Sequence, residues 1–538
     1  MTAIPHSSMV SVGLYRAAER LQCAAASWSG ILISCLVANM ARLLLEYLVY
    51  RTNVPTYSNL LHLPVWFLSI GVLVACLLSA LARMPVLQAM RIVLVIMPVL
   101  VIPPVLDALI YGLRQRSILY LHPDANVLWH FVDCVFLRGE PDRVSIGQLV
   151  LAHGLAISAG LLTWARTRRH WRAATMWIGV LAITYLAAAG PHIAKMASGF
   201  FQACIGRWLG ADQELLQRLA QSGGLFETPD MANTAIFIIG IPVLAALTLW
   251  VFDKQLCLAV LRNCRLTRLW HYLGMAVLGI VVGIKQHGTL DVLLGPQCNL
   301  IALLLLLEAI AAAFVGAVWI NDLYDLEIDR RSNADRPLAS GKLDSNAAFW
   351  IAVGSSALAI VAASLLGAHI LLLVVMMTGL AFVYSAPPLR LRTHLWSSAL
   401  TLGVISMLVV QTGYSLASVN TAISALSPRL IIAIVAGIAL LSTAKDIKDA
   451  EGDRFARVRT LMTILSPQAG RCATALAVFL GANLIAFGLL AGRAAATVGL
   501  GFGAVGFLAV LALGASDVVL FGIYLVGIGI AVGLYVVS

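Results

Sequence analysis

The amino-acid sequence predicts an all-α polytopic membrane protein, and three observations carry that reading. Only 11% of the residues are charged while 61% are hydrophobic, against roughly a quarter charged in a soluble domain. Mean hydropathy is +0.92. Apolar runs of about 20 residues, the length that crosses a ~30 Å hydrocarbon core, recur along the whole chain. These runs are continuous and do not alternate with polar residues, which excludes a membrane β-barrel.

About fifteen spans are expected. Six precede residue 253, near 28–50, 64–82, 87–112, 146–165, 174–194 and 234–252. Nine follow, near 271–287, 299–320, 347–367, 369–384, 396–412, 429–445, 472–491, 495–515 and 518–537. Between the two arrays lies the basic segment 252–270, "FDKQLCLAVLRNCRLTRLW", the natural boundary of two domains, 1–253 and 254–538. The opening residues place Arg16 and Arg20 ahead of the first span without a clear small-residue cleavage site, so they read as an uncleaved cytoplasmic lead-in.

A net charge of +11 can mark a nucleic-acid binder, but here the basic residues sit in short loops, as the positive-inside rule expects. Arg83 and Arg91 flank one such loop, and Arg166, Arg168, Arg169 and Arg172 crowd another. In the second half, Arg262, Arg265 and Arg268 precede the first span. Arg330, Arg331, Arg336 and Lys342 follow the second; Arg390 and Arg392 follow the fourth; Lys445, Lys448, Arg454, Arg457, Arg459 and Arg471 follow the sixth. The intervening loops hold little beyond Lys285, Arg429 and Arg493. This alternation puts the N-terminus and the basic loops in the cytoplasm, in keeping with a bacterial inner-membrane protein and with no nucleic-acid partner. The nine cysteines form no CxxC pair and read as small apolar fillers.

Against this background "WINDLYDLEIDRRSNADRPLASGK", residues 319–342, is anomalous. Asp322, Asp325 and Asp329 are spaced three and then four apart, which puts them on one helical face. Asp446, Asp449 and Asp453 repeat that spacing at another helix end on the same side. Acids collect in solvated loops for no special reason. That does not account for two like-charged stacks, each disfavoured by its i,i+4 pairs; a shared cation relieves the repulsion. Six carboxylates and the Asn321 amide are hard oxygen donors without Cys or His, which suits Mg2+ bridging to a substrate diphosphate. Arg336, Lys342, Arg390, Arg392, Lys445 and Lys448 stand beside them and would neutralise the remaining phosphate charge. Interfacial anchoring explains any one of these bases equally well. It is also the plainer reading of Arg265 and Arg268.

These residues resemble the UbiA superfamily of intramembrane prenyltransferases. Asn321, Asp322, Asp325 and Asp329 match its N-D-x-x-D-x-x-x-D signature. Arg336, Pro337, Ser340, Gly341 and Lys342 match the continuation. "YSAPPLRLR", from Tyr384 to Arg392, matches a third signature, and "DIKDAEGDR" with "VRTL" a fourth. After "VRTL" this chain reads "MTILSPQ" where the family commonly has a proline, a departure expected to alter loop shape more than metal binding.

The resemblance implies a ring of nine helices around a central cavity open sideways to lipid, with both acidic motifs at its cytoplasmic end. It implies a prenyl diphosphate donor, two Mg2+ ions, a lipophilic acceptor that is aromatic, quinonoid or similar, and release of pyrophosphate. Asp322, Asp325, Asp446, Asp449 and Tyr384 are then the candidate catalytic residues. Tyr384 would donate to the diphosphate or offer its ring to the carbocation. Two other functions compete: a membrane terpene cyclase using the same ionisation, and a cation transporter, which the one-sided placement of the acids disfavours. In the first half His122, Asp124, His130, Asp133 and Asp107 are candidates for a second polar site, with solvated loop residues as the simpler account.

Overall fold

The computed structural model describes residues 28–50, 57–112, 131–132, 135, 145–208, 229–287, 300–418, 425–512 and 517–537. They form helices and turns, with no strand among the described residues. Fourteen continuous helical segments among the described residues are long and apolar enough to cross a membrane, and the additional expected span at 28–50 corresponds to the helix Trp28–Tyr50. The protein is an integral membrane protein. The chain divides into two compact units, Met1–Phe252 and Asp253–Ser538.

In the first unit, helices α1 (Trp28–Tyr50), α2 (Tyr57–Ala82), α3 (Val86–Ile96), α4 (Ile102–Tyr111), α5 (Ile146–Thr167), α6 (His170–Trp208) and α7 (Pro229–Phe252) follow in order. Prolines shape it. Pro98, Pro103 and Pro104 lack the N–H that an α-helix needs, so α3 and α4 are joined by a 3-10 turn, Met97–Val101. In a membrane the carbonyls left over must find other donors. Leu94 O accepts from Met97 N–H and from the Cys35 thiol at 3.2 Å. Val99 O accepts from Ile102 N–H, and Leu100 O accepts from Arg42 Nη1 at 3.0 Å. Arg42 also pairs with Glu46 at 2.8 Å, both side chains almost fully buried. Asp107, 1% exposed, accepts from Gly147 N–H at 2.8 Å and so ties α4 to the start of α5. Arg166 and Arg172 donate to Ala82 O and Leu81 O, closing the C-terminus of α2 where positive charge is favoured. His122, Asp124, His130 and Asp133 lie outside the described residues.

The second unit opens with the amphipathic α8 (Lys254–Asn263), whose N-cap Asp253 accepts from Leu256 N–H at 2.9 Å. Nine of the fourteen membrane-length segments follow. Their helices are α9 (Leu266–His287), α10 (Leu300–Tyr324), α12 (Ser345–Ser364), α13 (Ala368–Ser385), α14 (Leu395–Ala417), α15 (Pro428–Leu441), α18 (Pro467–Leu489), α19 (Gly492–Ala512) and α20 (Asp517–Val537). Neighbour packing runs α9–α10–α13–α14–α15–α18–α19–α20 and returns to α9, which closes a ring. Helix α12 packs against α10 and α13 and does not line the central cavity. Helices α9 and α14 cross in direct backbone contact. A Cβ on Gly279 would collide with Val410 O, and one on Gly413 with Ala276 O, the small-residue device of membrane helix pairs. Three short helices, α11 (Leu326–Ser332), α16 (Asp446–Phe455) and α17 (Leu461–Ile464), sit at one end of the ring.

Candidate active site

The ring encloses a cavity of about 330 Å³. Its body is apolar, with Phe314, Met377, Ile405, Val409, Ile485 and Phe502 among the walls. Its other end is walled by Asp325, Asp329, Asp446, Asp449 and Asp453 together with Arg265, Arg268, Arg336, Arg392 and Lys445. Five acids therefore face five bases around one chamber.

Local chain geometry explains which residues arrive there. The backbone runs in i→i+4 steps from Asn321 to Asp325 (2.9 Å), Asp329 (2.8 Å) and Asn333 (2.8 Å). These four side chains consequently share a face across the junction of α10 and α11. Asn321 Nδ2 donates to Asp325 at 2.7 Å. Asn333 Nδ2 donates to Asp329 at 3.2 Å and to Asp449 at 3.1 Å, so one amide joins the two acidic motifs. Arg392 joins them a second time, contacting Asp325 and donating to Asp453 at 3.4 Å. Close approach of α11 and α16 needs Gly452, because a Cβ there would run into Ser332 Oγ.

Asp322 is placed differently from its expected neighbours on the face. It is 1% exposed and off the cavity wall, where Asn263 Nδ2 donates to it at 2.9 Å and Arg265 and Arg336 pair with it. A three-residue offset is 60° short of a full turn, enough to turn this carboxylate behind the stripe formed by 321, 325 and 329. Asp446 accepts from Lys445 Nζ at 2.6 Å. Arg336 Nη1 donates to Asp329 at 2.5 Å. Arg390, held in a left-handed conformation, donates to Tyr324 O and Asp325 at 3.0 Å each and lies outside the cavity lining. Lys342 and Lys448 are exposed and also stand off the wall. Tyr384 lines the cavity, its hydroxyl 3.2 Å from Ser398 Oγ.

Burial lowers the Arg265 guanidinium to about 10, with Asp322 working against the drop, so it remains charged at neutral pH. Burial raises the Asp329 carboxyl and is opposed by Arg336. Burial also disfavours the Arg336 charge, but Asp322 and Asp329 outweigh it and hold that group above its ordinary value.

The donor set fits Mg2+: carboxylates and one amide, without soft ligands. In this arrangement each of the five lining acids is held by an arginine, lysine or asparagine. Among the described residues no three acid, His or Cys side chains form a ready cage. The acids and bases balance, and a magnesium–diphosphate pair brings both signs in nearly equal amount. Binding it would let phosphate take the guanidinium groups while the carboxylates turn to metal, leaving few charges unpaired. Arg265, weighed above as a simple anchor, is part of this network, and Asn263 and Asn333 were not singled out by spacing at all.

Residues 272–517 match the family described as UbiA prenyltransferase family. The chain is similar to the digeranylgeranylglyceryl phosphate synthase of Saccharolobus solfataricus, 28% identical over 196 residues that cover 36% of this chain and 68% of the relative. It is also similar to the homogentisate phytyltransferase of Synechocystis, 27% identical over 212 residues, 37% of this chain and 63% of that one. A solved UbiA homologue from Archaeoglobus fulgidus bound to GPP and Mg2+ is 18% identical, covering 52% of this chain and 97% of its own, with a TM-score of 0.41.

Proposed function

We propose that the second unit, which belongs to the UbiA prenyltransferase family over residues 272–517, transfers an isoprenyl group from a prenyl diphosphate to a lipophilic acceptor in the membrane and releases pyrophosphate. One observation carries this: two acidic helix ends from distant parts of the chain open onto the polar end of a single apolar cavity. That is the shape of a substrate with a polyanionic head and a hydrocarbon tail.

Asn321, Asp325, Asp329, Asp446, Asp449 and Asp453 would hold Mg2+, which supplies Lewis-acid neutralisation of the leaving diphosphate. Arg265, Arg268, Arg336, Arg392 and Lys445 bind phosphate oxygens directly and stabilise the charge that grows as the allylic C–O bond breaks. Asp322 orients Arg265 and Arg336 for that task from behind, and Arg390 pins the 386–394 loop over the junction of α10 and α11. Tyr384 donates to the departing diphosphate. The apolar walls exclude water, which would otherwise quench the allylic cation, and Tyr272, Phe314 and Phe521 line the cavity with aromatic rings, the groups suited to a cation. The basic loops at this end support a cytoplasmic site.

The test is pyrophosphate release by the purified full chain with geranylgeranyl diphosphate. Release is expected with Mg2+, is lost on chelation and returns when Mg2+ is restored. A cyclic hydrocarbon formed from donor alone would replace the transferase reading with a cyclase, and release that survives chelation would remove the metal from it.

A further inference from the structure

On α9, roughly 9 Å beyond Arg265 at ~1.5 Å per residue, His271 faces the apolar part of the same cavity with Tyr524 of α20 and Ser406 of α14. His271 is 8% exposed and Ser406 fully buried. Tyr524 Oη lies 2.6 Å from His271 Nδ1, and His271 Nε2 lies 3.1 Å from Ser406 Oγ.

The direction of this chain follows from its far end. Ser406 Oγ donates to Leu402 O at 2.9 Å, which uses its only proton, so toward His271 it accepts. His271 Nε2 therefore carries a hydrogen, the neutral ring leaves Nδ1 as acceptor, and Tyr524 O–H donates to it. Every proton points along the chain toward a backbone carbonyl. Among the described residues none donates to Tyr524 Oη, so a lone pair is left, the group a hydroxyl needs when it must give up its proton. The aromatic packing of His271 on Tyr272 (4.8 Å between centroids), Tyr524 (5.4 Å) and Phe521 (6.2 Å) holds the ring in place.

We propose that Tyr524 and His271 form the acceptor subsite, receiving the proton of a hydroxyl-bearing acceptor, a phenol or an alcohol. This rests on the prenyl-transfer reading above. As the allylic C–O bond breaks and its electron pair leaves with pyrophosphate, the acceptor oxygen, or the ring carbon it activates, bonds to the allylic carbon; on the carbon route the ring C–H proton then shifts to the oxygen and restores the phenol. The hydroxyl proton passes to Tyr524 Oη, and the Tyr524 proton moves to His271 Nδ1, giving an imidazolium held by Ser406. Tyr524 is the catalytic residue of this step; His271 and Ser406 act through it as positioning residues.

The experiment uses the full chain in detergent with Mg2+, geranylgeranyl diphosphate, and a long-chain alkylphenol and alkanol, each beside its methyl ether. Pyrophosphate release and prenyl transfer are read separately in single turnover. Wild type is expected to transfer to a hydroxyl compound and not to its ether, with a solvent deuterium isotope effect on transfer. Tyr524→Phe keeps the ring and is expected to lower transfer about 100-fold, abolish the isotope effect and leave donor affinity within twofold. His271→Gln should behave alike, and Ser406→Ala should show a smaller loss in the same ratio. Unchanged melting temperatures exclude misfolding as the cause. Normal transfer by Tyr524→Phe, equal transfer to the ethers, or pyrophosphate release without transfer to either hydroxyl probe overturns this subsite alone. Absence of pyrophosphate release in wild type overturns the prenyl-transfer reading beneath it.

Discussion

Both units bury charge inside a hydrophobic protein, and they do so in opposite ways. In the first, Arg42 and Glu46 stand one turn apart on α1 and pair with each other at 2.8 Å. Arg42 also meets Leu100 O, left over by Pro104, and the Phe67 ring, 4.7 Å away. In the second unit the pairs join different elements: Arg392 links α11 to α16 through Asp325 and Asp453, and Asn333 links Asp329 to Asp449. The first arrangement repairs a broken helix. The second lines a cavity, where on the proposed function a ligand carrying both signs would replace each partner. Burial of charge alone does not mark a functional site in a membrane protein; exchangeable partners facing an accessible volume do.

Substitutions can break this comparison. Asp325→Ala and Asp449→Ala are expected to lower Mg2+-dependent pyrophosphate release by roughly 1000-fold or more, about 4 kcal/mol in the barrier, with melting temperature nearly unchanged. Either variant turning over normally in a radiometric assay would put these acids with the structural pair. Arg42→Ala is expected to do the reverse, costing about 3–5 kcal/mol of stability by stranding Glu46 and Leu100 O. Denaturation monitored by fluorescence would show the loss, while turnover per folded molecule stays constant.

Two smaller changes sharpen the contrast within the site. Gly452→Ala places a methyl against Ser332 Oγ and pushes α16 away from α11. A cost of about 1–3 kcal/mol is expected, read as reduced turnover together with a raised donor KM. Asn333→Ala removes the amide between Asp329 and Asp449 and should cost about 1 kcal/mol, visible as a several-fold weaker Mg2+ dependence in a titration of activity. If Asn333→Ala proved more damaging than Asp449→Ala, the amide and not the acid would be the group that matters.

Much of the second unit was legible from residue order. Apolar runs of bilayer length give helices whatever surrounds them, because only internal backbone hydrogen bonds are available in lipid. The acids of α10, α11 and α16 stood out because charge is scarce elsewhere. The placement of Asp322 was not legible. Spacing allows 322, 325 and 329 one stripe, and only the α10–α11 junction shows that 321, 325 and 329 form the wall. Arg265 looked like an anchor because its partner lies 57 residues away. Asn333 and Gly452 carry no signal until α11 and α16 are brought together.

The sequence by itself determined the helical membrane character, the approximate positions of the apolar segments and the chemical inventory at one end of the second half, since each depends on local hydropathy and on side-chain type. Tertiary structure alone decided which carboxylates share a cavity, which base each one holds, and that His271, Tyr524 and Ser406 meet at all. Those are distances between residues remote in the chain, set by how eight helices close into a ring, and no local pattern encodes them.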